Sequence, residues 1–264
     1  NAQRVVNVLA IPGPSGNGNT TCVQEWMSKG LNRPFAFIAL GGASDSAYCD
    51  GHSYTYEGSH WGRIVQILQD SKCMNPVIYF DELDKVSDTQ KGDEIIHMLT
   101  HLTDSSQNSL FQDNYFPGIN LDLSKVLFIF SYNDESRVNK ILKDRMYVIH
   151  TKGFKTEEKI KISREYLLKD ILNTFAFKDD EITFSDEILK EIVEKYTGCE
   201  EGVRNLKRCL ESIISKVNIC MLSGGNELSF KLKDFKLPFE VKSEHLTELL
   251  NKGNTDKPPE HMYM

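Results

Sequence analysis

The 264-residue chain is long enough for one large domain or two unequal ones, and 40% hydrophobic with 26% charged residues is a globular composition, not a disordered one. A net charge of −7 disfavours a general nucleic-acid binder, which would carry a basic face. No apolar run approaches the roughly 20 residues that span a bilayer, no secretory leader opens the chain, and six scattered cysteines without a C-x-x-C pair fit a reducing, cytoplasmic protein.

The chain starts at Asn1, directly before an apolar strand, and is expected to be a segment of something longer. That strand, "VVNVLAI" (Val5–Ile11), runs into "GPSGNGNT", Gly13 to Thr20. The spacing is that of a phosphate-cradling loop, G-x-x-x-x-G-K-[ST], with Asn19 where lysine would stand. Glycines let backbone N–H groups converge on an anion, the next helix (20–31) presents its positive dipole end, and Thr20 offers a hydroxyl to magnesium. Alone, this loop reads equally as an ordinary glycine-rich turn.

A second strand, "FAFIAL" (Phe35–Leu40), precedes a loop bearing Tyr54 and Tyr56 and a helix at 60–71. The third, "VIYF" (Val77–Phe80), ends on Asp81 and Glu82. In phosphoryl chemistry the first acid holds magnesium and the second orients the attacking water; after a glycine loop the pair is far more specific than two solvated acids. A helix at 93–103 carries His97 and His101 at metal-pair spacing, but no third ligand suggests itself. The fourth strand, "VLFIFS" (Val126–Ser131), delivers Asn133, whose carboxamide suits the attacking water or a terminal phosphate. A helix at 134–142, then Arg145, lead to the last strand, "YVIH" (Tyr147–His150).

Strands this apolar suit a sheet covered on both faces, and their alternation with helices predicts a doubly wound parallel α/β sheet over 1–151. Ligands of such sheets bind beyond the carboxyl ends of the strands. From 152 to 250 the pattern is helical, with Thr156 or Ser185 as caps and "KSEHLTELLNK" as a packing helix, predicting an all-helical second domain. Residues 251–264 are polar and proline-bearing and read as a flexible tail.

"GPSGNGNT", "GGASDSAYCDGHSYTYEG", "NPVIYFDELDKVS", "DSSQNSLFQDNYF", "DLSKVLFIFSYND", "LKDRMYVI" and "EEGVRNLKR" stand in the order of one family. The chain resembles the AAA+ ATPase module of the Lon protease family over nearly its full length, with a finer likeness to protease-less Lon-like ATPases of large DNA viruses. The resemblance implies an AAA+ P-loop domain with a five-stranded parallel sheet and a helical lid. It implies an ATP site, with ADP as product, over Gly13, Pro14, Ser15, Gly16, Asn17, Gly18, Asn19, Thr20 and Thr21, and magnesium on Thr20 and Asp81. It makes Glu82 the catalytic acid, Asn133 the first sensor, Arg145 the arginine finger offered to the next subunit and Arg204 the lid's sensor. Tyr56, with Glu57 and Gly58, matches the pore loop that grips an extended polypeptide, although Glu57 replaces the usual apolar residue. Ring assembly of the full-length protein, expected to be hexameric, polypeptide substrates and a separate protease partner follow from the same resemblance. No membrane partner is expected.

Three departures qualify it. No segment resembles the serine–lysine protease domain, so the chain is not expected to be a peptidase itself. The stretch that precedes the first strand and helps form the adenine pocket is absent. And position 19 is asparagine, uncharged and too short to reach the outer phosphates. Charge-assisted hydrogen bonds contribute about 1.5–3 kcal/mol, so the loss weakens triphosphate binding by about ten- to a hundredfold. A lost transition-state donor costs a further factor on the order of 10²–10³. The leading expectation is therefore a Lon-like AAA+ ATPase that couples ATP hydrolysis to protein remodelling or unfolding, with hydrolysis impaired by Asn19. The alternative is a non-hydrolysing, nucleotide-binding or structural subunit of such a ring. A DNA-acting clamp-loader-like module is disfavoured by the acidic balance.

Overall fold

The computed structural model describes residues 7–14, 16–42, 46–55, 57–86, 88–223 and 236–250, so Ser15, Tyr56 and the expected tail lie outside the described residues. Contacts cluster into two compact units that divide between Lys152 and Gly153.

The first unit contains β1 (Val8–Ala10), α1 (Asn19–Thr21), a π-helical continuation Cys22–Ser28, α2 (Lys29–Leu31), β2 (Phe35–Ala39), α3 (Ala47–Asp50), α4 (Arg63–Ser71), β3 (Val77–Asp81), α5 (Gln90–Thr103), β4 (Leu127–Phe130), α6 (Lys140–Lys143) and β5 (Tyr147–Val148). The five strands form one parallel sheet in the order β2-β3-β4-β1-β5. Side chains alternate across it. Ile78, Phe80, Phe128 and Phe130 join the buried cluster that contains Ile64 and Ile67 of α4 and Leu99 and Leu102 of α5. Val77, Tyr79, Leu127 and Ile129 join Val23 and Met27 of the helix after the glycine loop. Phe80 and Phe130 stack with centroids 5.0 Å apart. Each fully buried apolar side chain among these is worth about 1.5–3 kcal/mol against exposure, which is why the central strands carry no charged residue until their ends.

Arg33 ties the opposite edge of the sheet. Its guanidinium donates to the carbonyls of Asn75, Pro76 and Lys125 at the starts of β3 and β4. Partial burial lowers its pKa.

The second unit contains α7 (Thr156–Ile162), a π-helical link Ser163–Leu167, α8 (Leu168–Thr174), β6 (Ile182–Phe184), α9 (Asp186–Lys195), α10 (Arg204–Ser223), β7 (Phe239–Val241) and α11 (Ser243–Leu250). Its core gathers Leu172, Leu189, Ile192, Leu206, Leu210, Ile213, Ile214, Leu246 and Leu249. The unit is helical but not all-helical: β6 and β7 pair in parallel, Ile182 opposite Phe239. Three-residue strands this far apart are held by the burial of Ile182, Phe184, Phe239 and Val241 rather than by any local pattern.

Smaller differences have local causes. The expected helix over 134–142 is broken into one 3₁₀ turn, Glu135–Arg137, and α6. Asp134 accepts from Ser136 N and Asn139 from Ile141 N, so two short acceptors each start a turn of their own. The last strand stops at Val148 rather than His150. Ser185 does cap α9, accepting from Ile188 N, but Thr156 is the first helical residue of α7. There Glu158 accepts from Lys155 N at 2.7 Å, while the Lys155 side chain, which has no acceptor, makes no cap of its own. Among the described residues no helix is long and apolar enough to cross a membrane.

The six cysteines are free thiols, with Cys22 and Cys199 exposed and Cys49 and Cys220 buried. Burial pushes the Cys49 thiol up to about 12, and the charge of Asp50 adds to it. Thiolate is the reactive form. A maleimide time course at pH 8, read by mass spectrometry, should modify Cys22 and Cys199 first, and Cys49 only after denaturant is added. Early labelling of Cys49 would contradict this packing.

Candidate functional site

Register places the polar groups. Phe80 pairs with Phe130, and Phe130 with Ala10, so the next residues along three adjacent strands stand at one level: Asp81, Ser131 and Ile11. Parallel strands bring these carboxyl ends to one edge, and the glycine loop follows Ile11 directly.

The loop is anchored at both ends. Gly13 N donates to Tyr132 O at 3.2 Å, and Thr151 donates to Pro12 O through N and through Oγ1 at 2.9 Å. A Cβ on Gly13 would overlap Thr151 Oγ1, so only glycine fits that approach. Gly16 and Gly18 take positive φ of 84° and 78°, and Cys22 N donates to Gly18 O at 2.8 Å, closing the first turn. Nothing lies within 4 Å of where a Gly18 Cβ would stand, so the loop's outer side is open. Asn17 donates to Lys152 O at 2.9 Å, while its Oδ1 is buried without a partner. Thr21 is exposed and Thr20 half-buried.

Asn19 does not extend along the open side. Its Nδ2 donates to Ile11 O at 3.3 Å, so the carboxamide is folded back on the strand that leads into the loop. The position where a phosphate loop carries a cation is occupied by a neutral group bonded to backbone.

Beside it, one phenol gathers the polar edge. Tyr79 is 1% exposed. Burial pushes its hydroxyl up, hydrogen bonding with Ser131 and Thr20 offsets part of that, and the Asp81 carboxylate pushes it up again. Ser131 Oγ also donates to Asp81 Oδ1, which accepts Glu82 N at 3.1 Å. Ser131 thus ties Asp81 across two strands, and the Tyr79 hydroxyl stands close enough to feel Ser131, Asp81 and Thr20.

Glu82 adopts the left-handed conformation, φ 61° and ψ 44°, which is uncommon for a residue with a side chain. Leu83 N donates to Ser131 O at 3.0 Å and Lys85 N to Glu82 O at 3.0 Å, holding that turn. The cost falls at the point where the carboxylate leaves the strand, as strain at functional sites commonly does. The carboxylate forms an ion pair with Lys85 in partly exposed surroundings. Asp84, 5% exposed, accepts Asp134 N at 3.2 Å through Oδ2, and its Oδ1 is buried without a partner. It thereby ties the end of β3 to the loop that carries exposed Asn133.

Arg145 is engaged within its own chain. Its guanidinium donates to Thr100 O and lies 3.1 Å from Asp104 Oδ2. Asp104 accepts Ser106 N at 2.9 Å and Ser106 Oγ at 2.6 Å, and these bonds hold its carboxyl below the usual range. In the second unit Arg204 is exposed at the first residue of α10. That helix start is fixed by Glu200, which accepts Asn205 N and Leu206 N, each at 2.8 Å. Glu57 and Gly58 are exposed, Gly58 at φ 78°. His101 is occupied by Gln107, and among the described residues no group of three His, Cys, Asp or Glu could hold a metal ion.

The donor set fits a nucleotide phosphate with one divalent cation: a glycine loop open at Gly18, a hydroxyl at Thr20 and a carboxylate at Asp81. Tyr79, Ser131, Asp84 and Asp104 escape a reading of the sequence. The polar Ser131 ending an apolar run and the third acid of "DELDK" are the signals that point to two of them.

Comparison with known proteins bears on the same residues. Residues 9–154 match the family model of ATPases associated with various cellular activities (AAA), and 173–230 match that of the Lon protease AAA+ ATPase lid domain. The chain is 41% identical over 213 residues to a Lon protease homolog of Acanthamoeba polyphaga mimivirus, covering 80% of this chain and 21% of that protein. It is 39% identical over 237 residues to the Lon protease of Campylobacter concisus (89% and 29%) and 38% identical over 245 residues to that of Mycoplasma mobile (93% and 28%). The chain thus spans less than a third of the length of these relatives.

This geometry makes a quantitative statement about position 19. By calorimetry with magnesium and ATP, Asn19→Lys should tighten binding about ten- to a hundredfold, the worth of a charge-assisted hydrogen bond. The double variant Thr20→Ala, Asp81→Ala should weaken it. Equal affinities in all three proteins would mean that nucleotide binds elsewhere.

Proposed function

This chain belongs to the AAA ATPases of the Lon type, and on that premise we propose that it binds ATP with magnesium and couples hydrolysis to the remodelling of polypeptides within a ring. The observation that supports this best is the bond from Ser131 Oγ to Asp81 Oδ1 at the carboxyl edge of adjacent parallel strands, next to the strand that runs into the glycine loop. In this reading residues 1–151 are the nucleotide-binding domain and 152–250 the lid. The loop from Gly13 to Thr21 cradles the phosphates, its backbone N–H groups from Gly16 onward holding them while Gly13 N stays on Tyr132 O, and Thr20 and Asp81 hold the magnesium. The ion, when bound, neutralises charge that develops on the phosphoryl oxygens.

The protein's own residues do the rest. Glu82 orients a water toward the terminal phosphorus and takes its proton as the bond to the bridging oxygen breaks, releasing ADP and phosphate. That requires its carboxylate to exchange Lys85 for water, a small cost for a partly exposed pair. Asn133 steadies the water or the phosphate. Arg145 keeps Thr100 and Asp104 on one side of its fork and offers its remaining N–H groups to the nucleotide of the adjacent subunit. Arg204 contributes from the lid. Tyr56, flanked by Glu57 and Gly58, grips an extended polypeptide in the pore of a ring of six, and proteolysis, where it occurs, is supplied by a separate protein. The setting is intracellular.

One observation favours a second reading. The Asn19 carboxamide turned onto Ile11 O leaves the outer phosphates without their cation, as a subunit that binds nucleotide but does not hydrolyse it would. Turnover by the full-length protein separates the two. Asn19→Lys should raise kcat by on the order of 10²–10³, with a smaller change in KM, because a contact made mainly in the transition state acts on kcat. Glu82→Gln should abolish the gain. A full-length Asn19→Lys protein that assembles, binds ATP and stays inactive would reject the motor and leave the non-hydrolysing subunit.

A further inference from the structure

The loop between α3 and α4 leaves and re-enters the fold through a neck built by residues from elsewhere in the chain. His52 N donates to His60 O at 3.1 Å, and the two imidazoles meet edge to face at 5.3 Å. Below them Gly51 and Gly62 approach so closely that a Cβ on Gly62 would overlap Gly51 N and the Cys49 carbonyl. A Cβ on Gly51, at φ 83°, would strike Asp113 Oδ1. Tyr54, beyond the neck, is 61% exposed.

What closes the neck is the segment 113–116. Asp113 is 1% exposed, and its carboxylate accepts Gly62 N at 2.8 Å on one oxygen and Tyr115 N at 2.9 Å on the other. Asn114 holds the opposite side: its backbone N donates to Asp50 O at 2.8 Å and its Nδ2 to Gly51 O at 3.1 Å. Tyr115 and Phe116 then bracket Trp61, with ring centroids 6.0 and 6.3 Å away. Burying a carboxylate this completely is expensive unless its oxygens are satisfied. Here both are satisfied by backbone, and one of the donors is the last residue of the loop.

We propose that Asp113 is the positioning residue of this loop: it holds residue 62 while Asn114 beside it holds residue 51, so the neck on which the loop stands is set before polypeptide arrives. The inference rests on the gripping role proposed above for Tyr56. Its physical content is pre-organisation, because a loop held in one form pays its ordering entropy during folding and not on each encounter.

Asp113→Asn in the full-length Asn19→Lys protein tests it. The amide is isosteric but turns a donor toward either Gly62 N–H or Tyr115 N–H, and the loss of a hydrogen bond to a charged group should speed amide exchange across 51–62 by about ten- to a hundredfold. Affinity for a permanently unfolded probe, reduced and carboxymethylated lactalbumin, should fall about tenfold where the held form drops to a tenth of the population. ATP affinity should stay unchanged, which a general loss of structure would not allow. Should that variant not fold, Asn114→Ala removes only the donor to Gly51 O and should move both readouts the same way by less. Unchanged exchange over 51–62, or faster exchange with undiminished probe binding, overturns the proposal. If the parent protein binds no unfolded probe, the gripping role proposed above fails, and amide exchange alone then decides whether Asp113 holds the loop.

Discussion

The lateral register of the parallel sheet is the constraint on which the candidate site depends. Strands buried on both faces cannot carry polar groups along their length, because an unpaired polar atom there costs more than an apolar neighbour returns. Polar residues are therefore admitted only where strands end, and parallel strands end together. The pairing of Phe80 with Phe130 and of Phe130 with Ala10 fixes which residues come next. A slip of one residue between β3 and β4 would carry Ser131 away from Asp81 and turn Phe130 to the opposite face. The stacked Phe80 and Phe130 rings, in the cluster with Leu99 and Leu102, are what make that slip costly.

Charge at the site is lopsided as a result. Asp81, Glu82 and Asp84 leave one strand within four residues, and the cation that would balance them in the glycine loop is replaced by a carboxamide bonded to Ile11 O. Lys85 answers Glu82 alone, at the solvent edge. A magnesium-bound nucleotide brings two positive charges and four negative ones, so the site as it stands suits the metal better than the phosphates. That asymmetry is electrostatic rather than steric, since the loop stays open at Gly18.

Much of this is legible in the sequence. The apolar runs at 77–80 and 126–131 announced covered parallel strands, and Asp81, Glu82 and the glycine loop stood in an order few other folds would produce. What could not be read was whatever depends on partners distant in the chain. The β6–β7 pair joins residues 182–184 and 239–241, and each stretch is too short for its alternation to stand out as a strand. The break in the helix expected over 134–142 was encoded locally by Asp134 and Asn139, but the apolar spacing there outweighed it. Tyr79 reads as one more core aromatic until Thr20 and Ser131 are seen against its hydroxyl. Arg145 invites a role toward a neighbour, while its ties to Thr100 and Asp104 belong to the folded chain.

The helix that follows the glycine loop has a property of a different kind. Between Cys22 and Ser28 it is wound as a π-helix, the form a helix takes when it accommodates an extra residue without unwinding. Val23 and Met27 still meet the sheet. Sequence length elsewhere around the loop is rigidly prescribed by Gly13 against Thr151 and by strand register. Here the chain holds slack. Over evolutionary time such a stretch can lose or regain a residue while the loop in front of it and the core beneath it stay in place, making it a seam at which related chains can differ in length without differing in fold.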